Sequence, residues 1–316
     1  MALYGGFFMK EKIGYVYILM AGIFWSTLGF IVSKISSYNF SSEEIVFFRM
    51  LGGFIIITIY GKLTMPTMFK ITKKGILYVI GIGVVCQWIF NISYMNSICM
   101  VGASMAAVLL YVSPLFVAIF SRIFYKEKIN TIKLISLAFC VVGAFLAVTG
   151  GSVEIENLNL LGIFAGIMSA ITYAMLPIFN KNALKEMDNI TMTSYSFLIA
   201  AVLICFRINP VETISKIDSI SVFLYILSIG IVPSAMAYIA YSSGIAKNVE
   251  LSIAGVVASV ELVFSVIIGW TLLGEDFSAV KLIGLLFMIA STFIAVKAIE
   301  PVENDMELEI ALENDK

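Results

Sequence analysis

The chain of 316 residues is 60% hydrophobic and 13% charged, with a mean hydropathy of +1.01, far from the ~45–50% apolar and ~25% charged make-up of soluble domains. That composition excludes a water-soluble globular domain and places the chain in a lipid bilayer. A net charge of -1 leaves no basic surface for nucleic acid, and the absence of histidine removes the commonest general base and nitrogen metal ligand; no metal or cofactor is expected.

Ten apolar segments follow, each close to the ~20 residues that cross a ~30 Å hydrocarbon core. The first runs from about Ile13 to Ile35, behind Lys10 and Lys12. It is too long for a signal-peptide core and no small-x-small cleavage site follows it, so it reads as a membrane helix. The second, about Glu43 to Gly61, opens with Ser41-Ser42-Glu43-Glu44, which fits a capping box with Ser41 as N-cap and Glu44 at N3. Arg49 lies further inside it, where a charge must snorkel or pair; a structural anchor is the expectation. The third segment covers about Gly75 to Ile98, the fourth Gly102 to Phe124 and the fifth Thr131 to Thr149.

Gly150-Gly151-Ser152, with Glu154 and Glu156 behind it, marks a boundary between halves. The sixth segment, about Leu160 to Lys181, carries Gly162-x3-Gly166, a spacing that lets neighbouring helices approach closely. The last four lie at about Ile190 to Phe206, Ile220 to Ala246, Leu251 to Gly274 and Val280 to Ala298. Residues 299–316 hold seven acids and one lysine and read as a disordered, solvated tail. Cys86, Cys99, Cys140 and Cys205 lie in apolar runs without C-x-x-C spacing and read as small hydrophobes.

One stretch is written twice. Ser104 to Val148 lies on Ser252 to Val296 at an offset of 148 residues without a gap, and 15 of the 45 pairs are identical. Shared greasiness explains some apolar matches, but not a lone glutamate, Glu127 or Glu275, followed six residues later by Lys-Leu-Ile in both copies. The first repeat is expected at 13–150 and the second at 158–298. Five helices per repeat is an odd number, so the second copy enters the membrane from the other side. Basic residues agree: with a cytoplasmic N-terminus, 15 of the 20 fall inside and four outside, with Arg49 in the membrane. The expected fold is all-α integral membrane, ten transmembrane helices as two inverted five-helix repeats, with both termini and the tail on the cytoplasmic side of the cell membrane. Inverted repeats recur in secondary transporters, whose substrate site lies near the midplane between the copies.

Trp25 followed nine residues later by Lys34, Arg49 early in the second helix, Pro114 then Glu127 across the fourth, and Glu261 then Gly274-Glu275 across the ninth resemble the EamA-type transporters of the drug/metabolite transporter superfamily. The resemblance covers about residues 13 to 298. It implies the ten-helix fold and transport of small metabolites, with export of amino acids or related compounds as the common activity; a branch that takes up choline gives the alternative of proton-coupled amine uptake. Two positions depart from the family pattern. Its Glu-Pro pair in the ninth helix reads Glu261-Leu262 here, and the tryptophan common in the sixth is Ser169 or a neighbour.

Candidate lining residues follow from helical spacing. Gln87, Asn91 and Tyr94 recur at i, i+4 and i+7, and an offset of 147 residues gives Ser234, Tyr238 and Tyr241. Polar side chains in apolar helices need partners away from lipid, which either interhelical hydrogen bonds or a shared cavity supplies. Trp25, Tyr111 and Tyr173 are candidates for an aromatic wall. Glu261 falls near the middle of an apolar run, where a carboxylate must be protonated or face water, a cation or a donor. Its counterpart is Ser113, so the acid breaks the internal symmetry. It reads either as a structural carboxyl or as the coupling site and anchor of a substrate ammonium. Glu127 and Glu275, at helix exits, read as loop anchors.

The expected cavity is lined by helices 1, 3, 4, 6, 8 and 9. The expected partners are a small-molecule substrate, protons as coupling ion and the lipid bilayer, in a monomer or homodimer. An intramembrane enzyme fits poorly: the five aspartates lie in loops or the tail, and neither a Gly-x-Ser-x-Gly elbow nor a phosphate-binding Gly-x4-Gly-Lys-Ser/Thr loop is present.

Overall fold

The helices start where a short polar side chain takes over an orphan backbone N–H. Ser41 accepts from the Glu44 amide at 3.2 Å while the Glu44 carboxylate accepts from the Ser41 amide at 2.8 Å, the complete capping box. Thr72, Asn130, Asn159, Asp188, Ser219 and Ser278 cap later helices in the same way. The computed structural model describes residues 2–65, 68–152 and 159–298, with side chains from 12 onward; Glu154, Glu156 and the tail at 299–316 lie outside the described residues.

Among the described residues there is no strand, and ten rods cross the fold. They are α1 (Lys12–Ser36), α2 (Ser42–Thr64), α3 (73–101), α4 (103–125), α5 (Thr131–Thr149), α6 (Leu160–Ala183), α7 (Asn189–Cys205), α8 (Ile220–Ile245), α9 (Leu251–Leu273) and α10 (Ala279–Lys297). A six-residue helix, Pro210–Ser215, lies between α7 and α8. The turn from α3 to α4 is a single residue: Gly102, at φ 81 and ψ 160, leaves helical geometry and the chain re-enters it at once. Only glycine adopts that combination without strain.

The rods alternate in direction. On the face where α1 starts, here the proximal face, Thr191 at the start of α7 accepts from the Phe69 amide before α3, and Tyr15 of α1 accepts from the Glu250 amide before α9. On the distal face, Lys216 before α8 reaches Glu44 at the start of α2 at 2.8 Å. Close cross-repeat packing joins α5 to α10, where a Cβ on Gly284 would lie 2.4 Å from the Ala147 nitrogen. In α6, Gly162 and Gly166 face α3 and α4 without room for a side chain, and Ser97 donates to the Gly162 carbonyl at 2.9 Å.

Two of the irregularities inside the rods are paired by the repeat; the interruption of α1 at Thr27 and a π-turn at Gly269–Leu273 in α9 are not. α3 widens into a π-turn at Ile82–Ile89 and α8 into another at Ile231–Met236, overlapping positions under the 147-residue offset. In α8 the cause is Pro233, which has no N–H for the Ile229 carbonyl four residues back. α4 breaks at Tyr111 and Val112, just ahead of Pro114, and α9 breaks at Ser259, the equivalent of Tyr111. The proline's equivalent in α9 is Leu262, and the break there persists without it. The Ser259 hydroxyl donates to the Val256 carbonyl at 2.6 Å and its amide to the same oxygen at 3.2 Å, tightening the turn.

Candidate functional site

The two broken helices leave space between the repeats. A cavity of about 500 Å³ runs from Ser42 and Ala103 at the distal surface to Ser113, Pro114 and Ser259 at the helix breaks. That size suits a small organic ligand. Trp25 of α1, Asn91 and Tyr94 of α3, Tyr111 of α4, Tyr173 of α6, Tyr238 of α8 and Glu261 of α9 all line it.

Trp25 is the hub of the aromatic wall. Its ring meets Tyr238 edge-on at 5.2 Å, Tyr241 at 5.2 Å and Tyr173 at 6.4 Å. Phe90 continues the wall, stacked on Tyr94 at 6.0 Å and tilted against Tyr173 at 5.3 Å. Such rings hold one another by their quadrupoles and leave faces for an apolar or cationic ligand.

Three expected lining residues are placed elsewhere, each for a definite reason. Ser234 is fully buried and donates to the Ile229 carbonyl at 2.7 Å; it satisfies the oxygen that Pro233 leaves without a donor. Gln87 is fully buried behind the wall, where its side-chain oxygen accepts from the Tyr238 hydroxyl at 3.2 Å. Tyr241 is buried against Trp25 and supports it from behind. The regular i, i+4, i+7 stripe is thus interrupted in both copies by the π-turns, which rotate the side chains that follow them. Asn91 remains on the wall but also donates back to the Gln87 carbonyl at 2.6 Å.

Arg49 corrects the sequence expectation in the other direction. α2 contributes Ser42, Ile45, Val46 and Arg49 to the lining, and Arg49 is buried with its guanidinium 5.9 Å from the Tyr238 ring centre. Its Nε has no hydrogen-bond partner among the described residues. The signal was the residue itself, a cation deep in an apolar run with no acid one turn away on its own helix. Arg49 and Glu261 are the charged residues of the lining, and no ion pair joins them to each other. Arg49 and Glu261 thus present opposite charges to the same cavity.

The proximal end is closed by polar contacts between the repeats. Glu127, at the exit of α4, accepts from the backbone amides of Leu251 and Ser252 at 2.9 and 3.2 Å and from the Ser252 hydroxyl at 3.1 Å. Lys133 pairs with Glu250, and Lys181 lies 3.7 Å from Glu127. Glu127 is therefore more than the loop anchor its place in the sequence implied: it ties one repeat to the first turn of a helix in the other.

Comparison with known proteins agrees with this architecture. A solved crystal structure superposes with a TM-score of 0.76, covering 92% of this chain and 98% of that chain at 14% sequence identity, a likeness of fold. An uncharacterized transporter of Archaeoglobus fulgidus is 24% identical over 289 residues, covering 91% of this chain and 98% of its own length. An uncharacterized inner membrane transporter of Salmonella typhimurium, YicL, is 21% identical over 286 residues, covering 89% of this chain and 94% of its own. The EamA-like transporter family matches twice, over residues 12–149 and 160–297, once per repeat. This multi-pass membrane protein belongs to the EamA-like transporter family.

Proposed function

We propose that the protein is a secondary active transporter for a zwitterionic metabolite, an amino acid with an apolar or aromatic side chain, and that it exports this substrate across the cell membrane by alternating access. The observation that carries the reading is the single cavity that bears Arg49 and Glu261 within an aromatic wall. Arg49 would bind the carboxylate, Glu261 the ammonium, and the rings of Trp25, Tyr94, Tyr111, Tyr173 and Tyr238 the side chain. Asn91 supplies a further polar contact. A 500 Å³ volume admits one such molecule.

The direction and the membrane come from the family resemblance and from the concentration of basic residues on the proximal side, which supports cytoplasmic termini. With that orientation the cavity faces outward and the contacts around Glu127 close the inside. Glu261 is the group proposed to couple transport to protons, because it is the acid of the cavity and lies beside the helix break at Ser259. The amine-uptake alternative is disfavoured by Arg49, which would repel a ligand whose only charge is positive.

The test is flux of labelled amino acids into and out of proteoliposomes under an imposed pH gradient, wild type against Glu261→Gln. The expected result is saturable flux that responds to the gradient in the wild type and loses that response in the variant. A variant with unchanged flux and unchanged pH response would overturn the coupling role; wild-type flux of amines but not of amino acids would overturn the substrate class.

A further inference from the structure

Glu127 and Glu275 occupy the same position of the repeat, each one residue past a left-handed helix end. Lys126 and Gly274, 148 residues apart, both close their helix in the left-handed conformation, at φ 57, ψ 28 and φ 72, ψ 25. The next amide then donates six residues back in each copy, Glu127 to Ser121 at 3.4 Å and Glu275 to Gly269 at 3.0 Å, a wide closure across the left-handed residue. The docking surface is duplicated too: Leu251-Ser252 at the start of α9 corresponds to Ala103-Ser104 at the start of α4.

Only one copy is engaged. The Glu127 side chain is 10% exposed and holds three donors of α9, and Ser252 is buried. The Glu275 side chain is 48% exposed and lies 3.6 Å from Lys281 on its own helix pair, while Ala103 and Ser104 are exposed at the cavity mouth. Nothing packs on the glycines beside either partner: no atom lies within 4 Å of a Cβ built on Gly102 or on Gly274.

We propose that Glu275 is the distal clamp of the transport cycle, the counterpart of Glu127. When the distal mouth closes, the Glu275 carboxylate leaves Lys281 and accepts from Ala103 and Ser104 at the start of α4, as Glu127 releases α9 and the proximal mouth opens. A helix start favours a carboxylate through its unpaired N–H groups and its dipole. The clamps are unequal. Glu250, which pairs with Lys133 beside the engaged clamp, has Gly102 as its counterpart, so the distal clamp lacks a second ion pair. The distal-open form is accordingly the favoured resting state. This inference rests on the alternating-access reading.

The experiment uses the full chain in lipid, with the accessible Cys99 and Cys205 replaced by serine and cysteines introduced at Ala103 and Asp276, leaving residue 275 and the hydroxyl of Ser104 in place. Bridging by a short bifunctional maleimide is measured with Glu275, with Glu275→Gln, with Glu275→Ala and with Glu127→Gln. The expected bridged fraction rises several-fold in Glu127→Gln and falls several-fold in both Glu275 variants, with unchanged elution and melting temperature for the half-exposed Glu275 site. Equal bridging with Glu275 and with Glu275→Ala overturns the clamp. Because the bridge is read without substrate, that outcome is distinct from the failure of the transporter reading, which would show as no flux of any amino acid by the wild type.

Discussion

Tyr238 on α8 donates its hydroxyl to the side-chain oxygen of Gln87 on α3 over 3.2 Å, joining the two repeats directly behind the cavity wall. Both residues are buried, and each stands at or just beyond a π-turn. The bond holds the Tyr238 ring edge-on to Trp25. Tyr238→Phe and Gln87→Leu should each weaken ligand binding, and the double variant should be less impaired than the sum of the two. A coupling of about 1 kcal/mol is expected for a neutral buried hydrogen bond. Calorimetry on the four proteins measures it; additive effects would mean that the bond does not position the ring.

Truncated ligands separate the roles of the two charges. Arg49→Leu should weaken binding of an amino acid by roughly tenfold to a hundredfold, the worth of a charge-assisted hydrogen bond, while sparing the amine that lacks the carboxylate. Glu261→Gln should show the reverse pattern, sparing the acid that lacks the amino group. Thermal shift with matched ligand sets reads both, since a ligand that binds the folded state raises its melting temperature. Equal losses for amine and amino acid in Arg49→Leu would remove Arg49 from the substrate site.

Ser234 and Pro233 should behave as one unit. Ser234→Ala leaves the buried Ile229 carbonyl without the hydroxyl that reaches it at 2.7 Å, at a cost of about 1–3 kcal/mol. In a Pro233→Ala background the backbone regains the missing N–H, the π-turn can relax to α-helix, and the same serine substitution should cost little. Melting temperatures in detergent of the two single variants and the double variant decide this.

Two glycines predict opposite outcomes. Gly284→Ala places a Cβ 2.4 Å from the Ala147 nitrogen and 2.7 Å from the Gly143 carbonyl oxygen. Backbone atoms cannot swing aside, so α5 and α10 must separate, at about 1–3 kcal/mol. Gly29→Ala meets nothing within 4 Å and removes glycine from a helix, so it should be neutral or stabilise by about 0.5–1 kcal/mol. Unfolding of both variants under the same conditions should rank them in that order.

Hydropathy and the repeat were enough to read the ten rods and their inversion, because bilayer thickness and backbone satisfaction leave a chain this apolar few alternatives. The capping box at Ser41 was legible for the same reason of locality: both of its bonds join residues three apart. Glu261 announced itself as a lone acid in an apolar run, and it lines the cavity. The polar stripes were read with the wrong local geometry. A regular helical period put Gln87 and Ser234 on the wall, whereas the π-turns change the angular count; Pro233 marks the one in α8, and no proline marks the one in α3.

Arg49 shows the limit most clearly. Its position said that a charge was buried; only the packing of α2 beside α7 and α8 decided that it faces Tyr238 and a shared cavity rather than a lipid headgroup. The unequal states of Glu127 and Glu275 belong to the same class. Two equivalent glutamates in the sequence cannot say which is engaged, because engagement depends on how far apart the two halves stand. Local spacing determines what a segment is, and the distance between segments that are remote in the chain determines what its side chains meet.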